Sequence, residues 1–173
     1  PKLDVRRGIY DTGSEYNLLN EDVAAAWDGE RDRGLILEGF NDSVERGQGG
    51  GDLVVLVSDD EGWLRVQNLG PAYVVKNLSS VLLAGEGARV SQGVGLELPA
   101  CGGDPILRSC EGPVYPLGKG SARSLQLSFM MLPSVLGKTV ANGTLWDDVD
   151  WKKTPKGLRG VCMSGGERMR LRS

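Results

Sequence analysis

One short segment near the start of the chain has the residue types of a catalytic carboxylate turn. Asp11 is followed by Thr12, Gly13 and Ser14, directly after an apolar pair. A tight turn can present a carboxylate to a cleft, and Gly13 lets neighbouring backbone approach where a Cβ would clash. The Thr12 hydroxyl can hold the turn, and a hydrogen bond from Ser14 would keep the carboxylate ionised. These four residues are therefore the candidates for acid–base chemistry.

The composition restricts which chemistry that can be. The chain of 173 residues contains no histidine. This excludes Ser-His-Asp and Cys-His catalysis, the HExxH zinc site and acid–base catalysis by imidazole. Hydrolytic chemistry must therefore use carboxylates, lysine, tyrosine, hydroxyls, thiols or a metal held by oxygen or sulfur, and a mechanism centred on Asp11 meets that condition.

The same tripeptide also has a purely structural interpretation. Asp-Thr-Gly can form an Asx-type turn in which Asp11 only accepts hydrogen bonds from backbone N–H groups. The glycine run Gly47–Gly51 adds no phosphate site, because neither a Gly-Lys-[Ser/Thr] sequence nor a GxGxxG pattern surrounds it. Motif alone therefore leaves a catalytic turn and a structural turn open.

Charge is distributed unevenly along the chain. Residues 1–151 carry 13 positive and 22 negative side chains, a net charge of −9, whereas residues 152–173 carry seven positive and one negative, a net +6. The acidic body argues against a nucleic-acid-binding domain. The basic tail could contact phosphate or an acidic partner, although such runs more often form a solvated face.

Cysteine usage and hydropathy favour an intracellular protein. The odd count of three, Cys101, Cys110 and Cys162, and the absence of a CxxC knuckle predict reduced thiols, with a Cys101–Cys110 pair left open. No apolar run approaches the ~20 residues that span a membrane, and the start of the chain is no signal peptide. Because it begins at Pro1, we expect the chain to belong to a longer polypeptide.

No cofactor and no metal are predicted. Two tryptophans, Trp146 and Trp151, bracket the acidic residues of 147–150, but the spacing is not that of an EF-hand, so an exposed acidic turn is favoured. The acidic residues at 59–61 are interpreted as a hairpin tip.

The frequent glycines along the chain predict an all-β fold with short helices. Glycine accounts for 26 of 173 residues, about twice the usual share, which favours short strands and turns. The strongest pattern is a hairpin of strands 52–57 and 63–69, preceded by a glycine loop at 47–51. Asn20 as N-cap predicts a helix over 21–27.

The remaining elements are less sharply bounded. Residues 77–87 fit a short helix or a strand stopped by glycine, and 89–90 with 94–98 suggest a further hairpin. Other predicted strands cover 35–37, 71–75, 114–117, 125–132 and 135–136.

Three features in order give the chain a family resemblance. They are Ile9–Ser14, the glycine-rich stretch after it, and the segment Val75–Val90, which includes Asn77-Leu78-Ser79-Ser80. Together they resemble the retropepsin-type aspartic proteases of retroviruses and LTR retrotransposons, with the strongest likeness to the copia type. The likeness covers roughly residues 5–98, and residues 111–117 look like the segment that follows that protease.

The resemblance implies a fold and a mechanism. It implies one half of a retropepsin-like closed β-barrel that pairs as a homodimer, because the chain has a single Asp-Thr-Gly. The Asp11 carboxylates of two chains would share one proton and activate water, with Thr12, Gly13 and Ser14 in support. The implied substrate is a polypeptide, with the protein's own polyprotein as one candidate.

The resemblance also implies a flap over the substrate, formed between Glu38 and Gly51. Two candidate tips stay open. Hydrophobic flanks favour the tip at Gly39, Phe40 and Asn41, whereas glycine content favours the tip at Gly47, Gly49 and Gly50.

We predict three regions: a retropepsin-like protease domain over 1–98, a turn-rich extension over 99–151 and a basic tail over 152–173. The expected location is the cytoplasm or a virus-like particle. The alternative function is a catalytically inactive, protease-derived dimerisation or interaction module, and a third reading is a β-rich structural protein in which Asp-Thr-Gly is only a turn.

Overall fold

Strands dominate the structure, which confirms the all-β prediction. The computed structural model describes residues 5–27, 29–38, 44–120, 123–131, 157–162 and 168–170. The helical elements are α1 (Glu21–Ala25), α2 (Gly85–Gln92) and a short 3-10 turn, Ala100–Gly102. The strands are β1 (Val5–Asp11), β2 (Asn17–Leu19), β3 (Arg33–Glu38), β4 (Val44–Ser58), β5 (Trp63–Val75), β6 (Val81–Ala84), β7 (Val94–Glu97), β8 (Ile106–Ser109), β9 (Val114–Pro116), β10 (Gly118–Lys119), β11 (Leu125–Met131), β12 (Gly160–Cys162) and β13 (Arg168–Arg170).

Six strands close into a barrel. Their order is β5-β2-β6-β1-β11-β4, and β4 returns to pair with β5. The β5–β2 and β6–β1 pairs are parallel and the other four are antiparallel. The parallel pair of β1 and β6 sets Asp11 opposite Ala84, so the end of β1 lies beside the start of α2.

An apolar cluster fills the barrel and extends to a second sheet. Leu19, Leu83 and Phe129 are fully buried in it. The three-stranded sheet β7-β8-β9 adds Leu107 and Tyr115 to the same cluster. Because β11 pairs with β1 and β12 pairs with β5, the predicted boundary between 98 and 99 falls inside a common core and a common sheet.

Four local predictions are confirmed: helix α1, the β4–β5 hairpin and strands β9 and β11. Helix α1 begins at Glu21, and the Asn20 side chain accepts a hydrogen bond from the Val23 N–H at 3.0 Å, as an N-cap does. The helix ends at Ala25, two residues earlier than predicted. The predicted hairpin is β4–β5, and strands β9 and β11 match the predictions at 114–117 and 125–132.

The predicted glycine loop at 47–51 is wrong. Residues 47–49 lie inside β4, paired with β3 on one side and β5 on the other, and Gly50 and Gly51 continue the same strand where its register with β5 shifts. Gly49 shows the reason: a Cβ there would stand 2.2 Å from the Ala72 carbonyl oxygen. The glycines therefore permit close approach of strands rather than a change of chain direction.

The second predicted hairpin is also wrong. Residues 89–90 belong to α2, and β7 pairs instead with β8, about ten residues later in the chain. Over 77–87 the structure combines both alternatives, because β6 ends at Ala84 and α2 starts at Gly85. The predicted strand at 135–136, the acidic residues 147–150 and most of the basic tail lie outside the described residues.

Asn17 connects three strands of the barrel. Its side chain is 1% exposed. Its Nδ2 donates to the Leu69 carbonyl at 2.9 Å and the Pro71 carbonyl at 3.1 Å, and its Oδ1 accepts from the Ala84 N–H at 2.8 Å. These bonds link β2 to both β5 and β6.

We expect Asn17→Ala to lower the free energy of unfolding by about 2–3 kcal/mol, because buried backbone groups lose their partner. Urea denaturation measures this change. The control is Asn68→Ala, which removes a half-buried side chain that donates to Asp52 Oδ2 and accepts from the Gly70 N–H at 2.8 Å. Because the first bond is exposed and the second only partly buried, the loss should be smaller, about 1 kcal/mol. Equal losses in the two variants would show that the buried network has no special weight.

Candidate active site

The Asp11 turn lies at the exposed end of barrel strand β1. The Ser14 N–H donates to the Asp11 carbonyl at 3.3 Å, which closes the turn. The Gly13 N–H donates to Asp11 Oδ1 at 2.9 Å, in the form of an Asx turn. Among the described residues, nothing donates a hydrogen bond to Oδ2, so one carboxylate oxygen stays available to solvent or a ligand.

Three expected details of this turn are wrong. The Ser14 hydroxyl donates to the Tyr16 carbonyl at 2.8 Å and not to the Asp11 carboxylate. A Cβ on Gly13 would meet only Asp11 Oδ1 at 3.5 Å, an ordinary distance, so the close backbone approach is not made at Gly13. Within the described chain, no hydrogen bond from the exposed Thr12 hydroxyl is present.

The close approach is made instead by two glycines in the first turn of α2. A Cβ on Gly85 would stand 2.8 Å from Thr12 Cα and 2.9 Å from the Asp11 carbonyl oxygen. A Cβ on Gly87 would stand 2.2 Å from the Glu15 carbonyl oxygen, and the Gly87 N–H donates to the Ser14 carbonyl at 3.4 Å. The first turn of α2 therefore packs directly against the backbone of the Asp11 turn.

Sequence reasoning missed the role of these two glycines. They follow the apolar strand β6 as Gly85-Glu86-Gly87, a pattern interpreted only as the end of an element. The usable signal was a pair of glycines, spaced two apart, in a segment that otherwise fits a helix, because glycine inside a helix costs about 1 kcal/mol relative to alanine and needs a packing reason.

Tyr10, which directly precedes the Asp11 turn, packs in the apolar core. Its side chain is buried, and burial, with a smaller contribution from the Glu86 carboxylate, raises the pKa of Tyr10 to about 12. Burial is also the main cause that raises the pKa of Tyr115 to about 12. The Tyr115 hydroxyl donates to Gln67 Oε1 at 2.9 Å.

These two tyrosines predict a loss of stability at alkaline pH. Between pH 10 and 12 the unfolded chain releases the two phenolic protons while the folded chain retains them, so the free energy of unfolding falls as pH rises. Denaturant titrations from pH 8 to 12 measure the slope. A Tyr10→Phe/Tyr115→Phe double variant should show a shallower decline over that range, and an unchanged slope would remove the tyrosines as its cause.

The flap segment forms an antiparallel hairpin of β3 and β4, with Glu38 opposite Val44. Gly47, Gly49 and Gly50 all lie within its paired strand, so this candidate tip is wrong. The other candidate tip, at Gly39, Phe40 and Asn41, lies outside the described residues.

Across the described ranges, no group of three or more Cys, Asp or Glu side chains is arranged to hold a metal ion. Cys101 and Cys110 are exposed thiols with no bond between them. Neither helix in the portion described has the length and apolar character needed to cross a bilayer.

Neither the protein-family models, nor the curated proteins, nor the solved structures gave a match to this chain.

Proposed function

We propose that this chain is a retropepsin-like aspartic endopeptidase that acts as a homodimer on polypeptides. The observation that supports the proposal best is the Asp11 turn itself. It is an exposed carboxylate at the end of a closed-barrel strand, with one oxygen held by the Gly13 N–H and its backbone packed on the glycines of α2. A structural Asx turn alone does not require this close packing on α2.

The proposed mechanism uses two copies of Asp11, one from each protomer. Carboxylates a few ångströms apart cannot both ionise easily, so the pair shares one proton. The ionised member takes a proton from water, and the protonated member polarises the scissile carbonyl. This chemistry needs no histidine, in agreement with the composition.

The second part of the proposal concerns the substrate. The β3–β4 hairpin beside α1 would close over a bound polypeptide, which excludes bulk water from the reacting carbonyl. The protein's own polyprotein is the candidate substrate, and the cytoplasm or a virus-like particle is the proposed location.

A second candidate is a catalytically inactive dimerisation module. It is favoured by the Ser14 hydroxyl, which bonds Tyr16 and leaves the carboxylate without the expected donor. Peptidase activity at acidic pH, blocked by the transition-state mimic pepstatin and lost in Asp11→Asn, separates the two. A dimer without such activity supports the inactive module.

A further inference from the structure

A cavity lies between α1, the β3–β4 hairpin and the end of β5. Its volume is about 690 Å³, within the range of ligand-binding clefts. Its lining combines apolar surface with polar and charged side chains. The polar and charged lining residues are Glu21, Arg31, Arg46, Gln48 and Lys76.

Two cations border this cavity from neighbouring segments of the chain. Gly47 pairs with Val75 and Gln48 with Val74, and the next residue on each side, Arg46 in β4 and Lys76 in the turn after β5, lines the cavity. Like charges that border one cavity repel each other. An anion between Arg46 and Lys76 would convert this repulsion into attraction.

These two cations have no protein partner in the described part of the chain. Arg31, the third, is already engaged: it donates to the Ala24 carbonyl at 2.6 Å and lies 5.9 Å over the Trp27 ring. Glu21 is the one carboxylate among the described lining residues. The cavity therefore has a net positive charge, although residues 1–151 have a net charge of −9.

Apolar side chains continue the cavity along the hairpin. Ile36 is opposite Arg46 on β3, and Val44 precedes Arg46 by two residues, so all three lie on one face of the hairpin. Ile36 is 68% exposed and Val44 is 63% exposed. An extended chain could place an acidic side chain between the cations and apolar side chains along this strip.

We infer that this cavity binds an acidic segment of a polypeptide, with a Glu or Asp side chain between Arg46 and Lys76. The inference rests on the proposed function, since it names the class of substrate for that activity. Binding of an acidic polypeptide is favoured over nucleic acid because the apolar strip suits side chains and the rest of the body is acidic.

The test is binding of labelled peptides, measured by fluorescence anisotropy with the Asp11→Asn protein so that no peptide is cleaved. The probes are a Leu/Glu-containing peptide and its Gln and Lys counterparts. We expect the Glu peptide to bind at least tenfold more tightly than the Gln peptide, and the Lys peptide to bind least.

Charge reversal locates the site. Arg46→Glu/Lys76→Glu should remove the preference for Glu or invert it in favour of Lys. The matched control is Arg7→Glu/Lys119→Glu, which changes net charge equally at exposed positions away from the cavity and should retain the preference. Circular dichroism confirms that both double variants are folded.

Three results would overturn the inference: equal affinity for the Glu and Gln peptides, an unchanged preference after charge reversal in the cavity, or displacement of the peptide by an oligonucleotide at comparable affinity. Because binding is measured without cleavage, these results are independent of catalysis. A protein that binds the Glu peptide selectively but cleaves nothing would contradict the proposed function and leave the cavity assignment intact.

Discussion

On the proposed mechanism, Asp11→Asn should reduce kcat for peptide cleavage on the order of 10³- to 10⁴-fold, because an amide cannot take a proton from water or share one with its counterpart in the second protomer. The wild-type protein should have an acidic pH optimum and should be blocked by pepstatin. Cleavage of a quenched fluorescent peptide, followed from pH 3 to 8, measures both effects. The substitution preserves the size of the side chain and the acceptor oxygen for the Gly13 N–H, so the fold should be unaffected.

The matched control is Asp104→Asn, which makes the same chemical change at an exposed site outside the turn. It should retain wild-type activity and the wild-type oligomeric state. Activity that survives Asp11→Asn would rule out the aspartic mechanism. If the wild-type protein dimerises but cleaves no peptide under any of these conditions, the inactive module becomes the better account.

Gly87→Ala should lower both stability and peptide cleavage, and this is the second largest effect that we expect. Its new Cβ would stand 2.2 Å from the Glu15 carbonyl oxygen, which is backbone and cannot rotate away, so either the Asp11 turn or helix α2 must move. We expect a loss of about 1–3 kcal/mol in stability from this overpacking. A shift of about 1 Å in the turn would lower kcat by about 10²-fold.

Melting temperature and activity together show whether the effect comes from the clash at Gly87 or from a general loss of folded protein. Alanine favours helix over glycine by about 1 kcal/mol, so any destabilisation at this helical position reports the clash. The control is Gly95→Ala in β7, where a Cβ meets nothing within 4 Å and stability should be unchanged. A Gly87→Ala protein with wild-type melting temperature and wild-type activity would show that α2 does not hold the turn in place.

Local signals in the sequence predicted the elements that depend on neighbouring residues. Asn20 and the residues after it specify α1, and alternation along 52–57 and 63–69 specifies the central hairpin. The Asp11 turn was also predictable as a turn, since Asp and Gly two residues apart suffice for the hydrogen bond that forms.

Features that depend on distant residues were not predictable. The glycines at 47–51 are compatible with either a loop or a strand that lies very close to its neighbour. The sequence does not show that the Ala72 backbone lies against Gly49, which is what requires glycine there. The partner of β7 is chosen by the shared core of Leu107 and Tyr115 rather than by a turn signal. The role of Gly85 and Gly87 required knowing that α2 packs beneath the turn.

The pairing of β1 with β11 has a consequence for how this protein is made. Val5 pairs with Met130 and Ile9 with Gln126, so the strand that ends in Asp11 finds this neighbour only after more than a hundred further residues have been synthesised. Contacts so distant in sequence close slowly and late in folding. During translation one edge of β1 therefore stays unpaired until β11 has been synthesised. A catalytic turn at the end of β1 would not reach its final position until residue 131 has left the ribosome. If the proposed activity is directed at its own polypeptide, this delay would protect the growing chain from premature cleavage.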